Sequence, residues 1–342
     1  MKKYQDGEIY FIRESEYGTG KPSQFVKIGL VRYKDKRNSF GRLAEHQTGN
    51  PRKLVLDPKH VVKTQAVDMV EARLHTHFAK QRISGEWFEF KDEKALSVAV
   101  SEANRLASEV ADLMPLFEEV MQLDIVVSDL PARPATADEI QLAIRAHTAR
   151  KQLEKCKETA SARDALIEKA YSEGNDVSAA GKPSVRVYSP KFNEADFKAE
   201  NEDLWTKYLT EEESWSHTFA LDRKLKVGSL GADFERDLAL AGEIIGAVSK
   251  GGNFGDLVEV TQTLRHLVGI AEWEDKVSTA LLKQATGRHA KLEGACTWNR
   301  KYNPTTKFAS AKFAEEHPEL AKKYVSTPEP TSKIVAKVGK TQ

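Results

Sequence analysis

The sequence predicts an α+β chain in which a mixed α/β head precedes a mainly helical C-terminal region with an internal repeat. Three observations support this. Short runs rich in β-branched and aromatic residues, parted by glycine and proline, fill the first 90 residues. Helical periodicity dominates from about residue 92. An 18-residue pattern in the back half recurs at an offset of 116 residues.

Composition frames these elements. At 342 residues the chain is long enough for two or three units. Its 40% apolar and 30% charged residues suit soluble globular domains joined by polar, helical stretches. No run of about 18 apolar residues occurs, which excludes a membrane-spanning helix. The opening MKKYQDGEIY lacks the apolar core of a secretion signal. Only Cys156 and Cys296 are present, so a disulfide framework and a four-cysteine zinc site are excluded. A reducing cytoplasm is the expected compartment. The net charge of +1 divides unevenly: residues 1–92 hold 18 Lys and Arg against 12 Asp and Glu, the remainder 34 against 39. A basic head on an acidic body suits a polyanion-binding module with a helical partner. An excess of this size is also ordinary for one domain, and charge alone leaves both readings open.

Taken in order, residues 8–13 (EIYFIR) and 25–31 (FVKIGLV) read as strands, and the Gly/Pro-containing segment between them makes a long-looped hairpin. Residues 40–48 form a short helix stopped by Gly49-Asn50-Pro51. A third strand falls within 53–63, residues 66–81 form an amphipathic helix, and GEWFEF (85–90) closes the unit. Helices follow to about residue 122 and over 138–171, 233–249 and 256–286. Domain boundaries are expected at 1–92 for the head, 93–135 for a helical linker, 136–210 for a first repeat unit, 211–254 for a helical connector and 255–326 for a second repeat unit. Residues 327–342 read as a disordered tail. In the repeat, Lys191-Phe192, Phe197, Glu200, Leu204 and Lys207-Tyr208 recur as Lys307-Phe308, Phe313, Glu316, Leu320 and Lys323-Tyr324.

The chemistry concentrates in the head. On the 66–81 helix, Val67, Val70, Leu74 and Phe78 form one apolar stripe, and Glu71 falls beside Phe78 inside it, with His75 one turn along. A carboxylate on a core face is costly unless a cation, a metal or a donor meets it; a structural ion pair is the bland account. Arg42 and His46 share a face of the short helix, with Phe40 and Leu43 on the packing side. Arg grips phosphate and His shares protons near neutral pH, although a solvated helix face would look the same. Tyr10 alternates with Ile9 and Phe11 in the first strand, where core packing is the plainer role. His75-Thr76-His77 resembles a metal pair, but positions two apart diverge on a helix, which favours structural or solvated histidines.

The order of these residues resembles the GIY-YIG nuclease superfamily, and within it the phage-associated branch whose second half-motif reads K-I-G. The stretches are Glu8-Ile9-Tyr10-Phe11-Ile12, Phe25-Val26-Lys27-Ile28-Gly29, Arg42-Leu43 with Gln47-Thr48-Gly49-Asn50-Pro51, Val70-Glu71 with Leu74-His75, and Gly85-Glu86-Trp87-Phe88. The resemblance implies a small three-stranded antiparallel sheet with flanking helices. It also implies phosphodiester cleavage in DNA with one divalent ion, Mg²⁺ or Mn²⁺. Carried over by position, Glu71 would hold the metal, Arg42 would stabilise charge on the phosphate, and Tyr10 would activate or orient water. His46 would assist proton transfer, and Lys27 replaces the tyrosine of the broader superfamily. The first half-motif here lacks its leading glycine, and the general base stays open. Lys27, Arg32, Arg42 and Arg52 are the expected nucleic-acid contacts. The C-terminal repeat, with Cys296-Thr297-Trp298, Lys307-Phe308 and His317-Pro318-Glu319-Leu320, looks like a segment of YqaJ-type phage recombination exonucleases, whose catalytic motifs are not visible here.

The expectation is therefore a metal-dependent DNA endonuclease of a phage, prophage or phage-defence setting, with no membrane association. Its helical region would serve targeting or assembly, including a homo-oligomer. The alternatives are a non-catalytic nucleic-acid-binding protein on the same scaffold, and a helical scaffold carrying a regulated nuclease effector.

Overall fold

The computed structural model describes residues 4–339. The head holds β1 (Gly7–Ser15), β2 (Pro22–Arg32), α1 (Ser39–Thr48), β3 (Leu54–Val55), β4 (Val61–Thr64), α2 (Val67–His77), β5 (Arg82–Ser84), β6 (Trp87–Glu89) and α3 (Glu93–Leu123). β1 and β2 form the expected antiparallel hairpin, with Tyr10 opposite Gly29. The sheet is larger than the three strands expected. Its order is β3-β1-β2-β6-β5, and β4 also pairs with β1. A single third strand does not form because Pro58 opens a helical turn that splits the segment into β3 and β4.

Strand alternation sorts the sheet's two faces. Ile9, Phe11, Val26, Ile28 and Phe88 meet Val67, Val70 and Leu74 of α2. Tyr10, Ile12 and Val31 face the other way, towards Leu43 of α1. Phe40, expected beside Leu43, is instead 47% exposed at the start of α1. The expected boundary at residue 92 falls inside a continuous core. α3, capped by Asp92, buries Leu96, Ala99, Ala103, Val110 and Phe117 in the head's own cluster rather than serving as a linker.

The body comprises β7 (Arg133–Pro134), α4 (Ala137–Ser172), β8 (Gly181–Arg186), β9 (Lys191–Phe192), α5 (Glu194–Glu200), α6 (Glu202–Lys207), β10 (Leu209–Glu212), β11 (Trp215–Leu221), α7 (Ala232–Val248), α8 (Asp256–Thr286), β12 (Lys291–Glu293), β13 (Cys296–Tyr302), β14 (Thr305–Phe308), α9 (Ser310–Glu316), α10 (Pro318–Lys323), β15 (Val325–Ser326) and β16 (Thr331–Ala336). It is less purely helical than expected. The segment 211–254 contains β11, and the tail contains β16, whose Ile334 and Ala336 pack on the body core while the strand pairs with β8. Alternating apolar side chains order this stretch despite its polar composition. Residues 340–342 of the expected tail lie outside the described residues, as do residues 1–3 of the head.

The repeat folds as two crossed halves. Arg145 meets Glu274 and Arg163 meets Thr261, so α4 and α8 run antiparallel. β11 pairs with β13 from Trp215↔Tyr302 to Leu221↔Cys296, and β16 pairs with β8 from Thr331↔Arg186 to Ala336↔Gly181. A shift of 116 residues, forward on one strand and back on the other, converts the first register into the second. β10 with β14 and β15 with β9 are related in the same way. Tyr324 donates to Glu200 at 2.7 Å, and Tyr208 donates to the equivalent Glu316. Phe192, Phe197, Phe308 and Phe313 stack at the centre, with Phe197 and Phe313 fully buried.

Head and body are locked together. Gln262 of α8 donates to the Arg82 carbonyl at 2.9 Å, and His266 donates to that of Thr76 at 3.1 Å. α8 passes so near α2 that a Cβ at Gly269 would collide with the Thr76 side chain. Arg300, 1% exposed, donates to the Leu123 carbonyl at the end of α3 and to the Gly287 carbonyl just past α8. One guanidinium thus satisfies two helix C-termini.

Because the two repeat halves bury equivalent aromatic anchors, Phe197→Ala and Phe313→Ala should each destabilise the body by about 3–5 kcal/mol, with similar shifts in denaturation midpoint. A large effect of one with a negligible effect of the other would contradict the equivalence.

Candidate active site

The site forms where the β2–β6 ladder stops. β6 pairs with Phe25, Val26 and Lys27 only. At the next residue, the Ile28 N–H turns to the Glu86 carbonyl at 3.1 Å, and the Ile28 carbonyl accepts from His75 Nε2 at 2.9 Å. Helix α2 therefore takes the place of a strand along this stretch of β2. His75 Nδ1 in turn faces an Arg82 guanidinium nitrogen at 3.3 Å. The phenol ring of Tyr10 crosses directly over Gly29, where any Cβ would collide with it. Tyr10 thereby reaches from β1 across β2, and its Oη shares a hydrogen bond with His46 Nε2 at 3.1 Å.

Around this phenol lie Arg42 on α1, Lys27 on β2, Glu86 in the turn before β6, and Glu71 on α2. Burial pushes the Tyr10 hydroxyl up to about 12 against the pull of Arg42, with Glu86 and Glu71 adding to the rise. The phenol is therefore protonated at neutral pH. Burial, and then the cations of Lys27 and Arg42, hold His46 below its ordinary value, so its imidazole is neutral and able to accept a proton. Glu71 is half-buried. Its burial, followed by repulsion from Glu86 and Asp68, pushes its carboxyl up to about 7 despite Arg32 and Lys27. Burial works on Glu86 in the same sense, but its ion pair with Lys27 keeps that carboxyl below the ordinary range.

The structure brings Tyr10, Lys27, Arg42, His46 and Glu71 into one neighbourhood. Arg32 flanks Glu71 from the end of β2 and is paired with Asp68. Arg52 bonds Glu14 at 2.8 Å near the end of β1 opposite to Arg32, which stands across from Gly7, so the two arginines lie about seven strand residues apart, roughly 23 Å. Each of the four expected nucleic-acid contacts holds a carboxylate: Glu86 for Lys27, Asp68 for Arg32, Glu45 for Arg42 at 2.5 Å and Glu14 for Arg52. His75 and His77 diverge, with His77 turned towards Glu102 and His266. Arg82 escaped the sequence reading, since its place behind His75 depends on the turn between α2 and β5.

Among the described residues no three His, Cys, Asp or Glu side chains converge as a metal cage. Glu71, however, has neither a hydrogen bond nor an ion pair of its own among the described residues, and Glu86 and Asp68 repel it more strongly than Arg32 and Lys27 attract it. A hard divalent ion that takes one carboxylate and fills its other positions with water or phosphate oxygens fits that donor set.

The arrangement is a small antiparallel sheet with tyrosine, arginine, histidine and a partly buried carboxylate gathered at one edge. Residues 7–107 match the T5orf172 domain, which occurs in phage-associated and GIY-YIG- or HNH-like nucleases. The match runs from β1 into α3, in keeping with the burial of α3 in the head. No curated protein and no solved structure matches the chain.

A carboxyl raised in the folded state holds its proton more tightly there than in the unfolded chain. Folding is then favoured at low pH, and the contribution is lost as pH rises from the ordinary carboxylate value through about 7. Glu71→Gln should therefore be more stable than the wild type above pH 7, by about 1–3 kcal/mol. The gain should vanish below about pH 4. Denaturation midpoints measured across pH without divalent ions check this; equal midpoints at pH 8 would show an unstrained carboxylate.

Proposed function

We propose that the head is a metal-dependent endonuclease that hydrolyses phosphodiester bonds of DNA, in a phage, prophage or phage-defence setting. The observation that carries this reading is Glu71, a half-buried carboxylate without a partner of its own, placed across the β2 edge from the Tyr10–His46 pair. The T5orf172 match supports the same class.

Under this reading a Mg²⁺ or Mn²⁺ ion held by Glu71 would supply Lewis-acid polarisation of the phosphate and a place for water. Neutral His46 accepts a proton from the Tyr10 hydroxyl or from water held by it, and Tyr10 orients the nucleophile. Arg42 presents its planar fork to the phosphate oxygens as charge builds there. Lys27, at present paired with Glu86, keeps His46 neutral and adds positive potential. Gly29 leaves room for the phenol and for close approach of a phosphate. A binding-only role is the weaker reading. Cations already neutralised by carboxylates release few counterions from nucleic acid, so they make a poor general binding surface.

Glu71→Gln should retain nucleic-acid binding within about threefold while cleavage falls on the order of 10² or more at saturating Mg²⁺. Wild-type rates in that variant would remove the metal-ligand role. The wild-type rate should climb as pH rises through about 7, since metal requires the ionised carboxylate. Raising Mg²⁺ should move that acidic limb to lower pH, because metal competes with the proton. A limb that stays fixed over a wide Mg²⁺ range would assign it to another group.

A further inference from the structure

We infer that a nucleic-acid strand leaving the catalytic cluster passes over Arg82 and is held on the body by Arg265, Lys182 and Lys337, making head and body one binding track. The inference rests on the nuclease reading of the head and gives its substrate a path.

A cavity of about 350 Å³ opens where β5 meets α8 and the end of β16. Its walls carry Arg82, Arg265, Lys182 and Lys337, and its one carboxylate is Glu86. Glu86 is bound to Lys27, so the mouth of this cavity is a residue of the catalytic neighbourhood. A second cavity, of about 500 Å³, shares Arg82 and Arg265 and reaches Arg163. Its Asp164, Glu168 and Glu272 oppose an anion, which puts the path on the side of the smaller cavity.

Two cations of that smaller cavity, Arg265 and Lys182, are poorly compensated, and a third, Arg82, spends its hydrogen bonds on uncharged groups. Arg265 and Lys182 make neither an ion pair nor a side-chain hydrogen bond among the described residues. Arg82 uses its guanidinium on neutral acceptors, the Gly85 carbonyl at 2.5 Å and His75 Nδ1. Burial and then repulsion from a neighbouring guanidinium lower the affinity of Arg82 and Arg265 for their protons; the neighbour is Arg265 for Arg82 and Arg163 for Arg265. Positive groups packed this way lack an anion, and a guanidinium fork suits phosphate oxygens. Lys182 and Lys337 are fixed in the cavity wall by the β8–β16 ribbon, where the Lys337 N–H bonds the Ala180 carbonyl at 2.7 Å.

The test uses the full-length protein with a fluorescent single strand of about 30 nucleotides, its duplex, and an oligonucleotide of about 4 nucleotides. In EDTA, the Arg265→Ala/Lys182→Ala variant should bind the long single strand or the duplex about tenfold more weakly, with a log–log salt slope shallower by about 2. The charge-conserving Arg265→Lys/Lys182→Arg variant should bind like the wild type. With Mg²⁺, cleavage of the short oligonucleotide should be unchanged in both. Wild-type affinity and slope for the long strand and the duplex in the alanine variant would overturn the track while leaving the nuclease reading intact. An equal loss of binding to a poly-glutamate peptide would overturn the assignment to a nucleic-acid strand. If the wild type binds the long strand through these residues yet cleaves nothing, the nuclease reading fails and the track stands. If the wild type binds no nucleic acid, both fail.

Discussion

The crossing of Tyr10 over Gly29 is the contact on which the site depends. In an antiparallel pair, opposed side chains stand side by side on one face. Removing the Cβ at position 29 lets the phenol lie down across β2 and point towards its far edge. That edge is open only because β6 stops at Lys27, and it is lined by α2 because His75 accepts the role of a neighbouring strand at Ile28. The hydroxyl from β1, the imidazole from α1 and the carboxylate from α2 therefore converge although they come from both faces of the sheet. A bulkier residue at 29 would return Tyr10 to ordinary core packing and separate it from Glu71.

Much of the head was legible because its strands carry their own apolar runs and α2 its own stripe. The helical wheel puts Glu71 inside the apolar face, beside Phe78, and the residue is half-buried there. The same logic failed for Phe40, since a first-turn residue of a short helix can point past the sheet edge. The head's limits were not legible. The periodicity of α3 shows a buried face but not which neighbours cover it, and those neighbours are the head and helix α8 of the body. In the body the paired windows were visible as identities. Extended pieces before each window are legible at residues 185–188 and 297–302, but β16 is not, because it lies in a polar tail and exists through its hydrogen bonds with β8. Charge located the basic head, yet it did not reveal that Lys27, Arg32, Arg42 and Arg52 each hold a carboxylate, or that Arg32 and Arg52 lie at opposite ends of β1. Such pairings join residues 3–59 positions apart and depend on the fold.

The body is built by exchange rather than by stacking. Each half gives its final strand to the first strand of the other, so neither half completes its pairing alone. The reciprocal tyrosine–glutamate bonds repeat that logic in side chains. One difference breaks the symmetry: Asn201 approaches the Tyr324 hydroxyl, while His317 occupies the equivalent place beside Tyr208. The central helix α8 then serves two masters, pairing with α4 inside the body and reaching α2 and β5 of the head. With Arg300 joining the ends of α3 and α8, movement of the head against the body would break its hydrogen bonds and leave a guanidinium and helix carbonyls buried without partners, which is strongly unfavourable. The two halves of the molecule are held at a fixed spacing.

That fixed spacing gives the electrostatics a direction. Glu86 repels Glu71 and also lines the cavity of Arg82 and Arg265, where each guanidinium is repelled by a neighbouring one. The rigid scaffold holds both unfavourable arrangements in place. Under the nuclease reading, a phosphodiester strand accompanied by a divalent ion resolves them together: the ion meets the carboxylate while flanking phosphates meet the guanidinium groups. The Lys27–Glu86 pair sits at the junction, and each of its members can exchange its present partner for the incoming ligand.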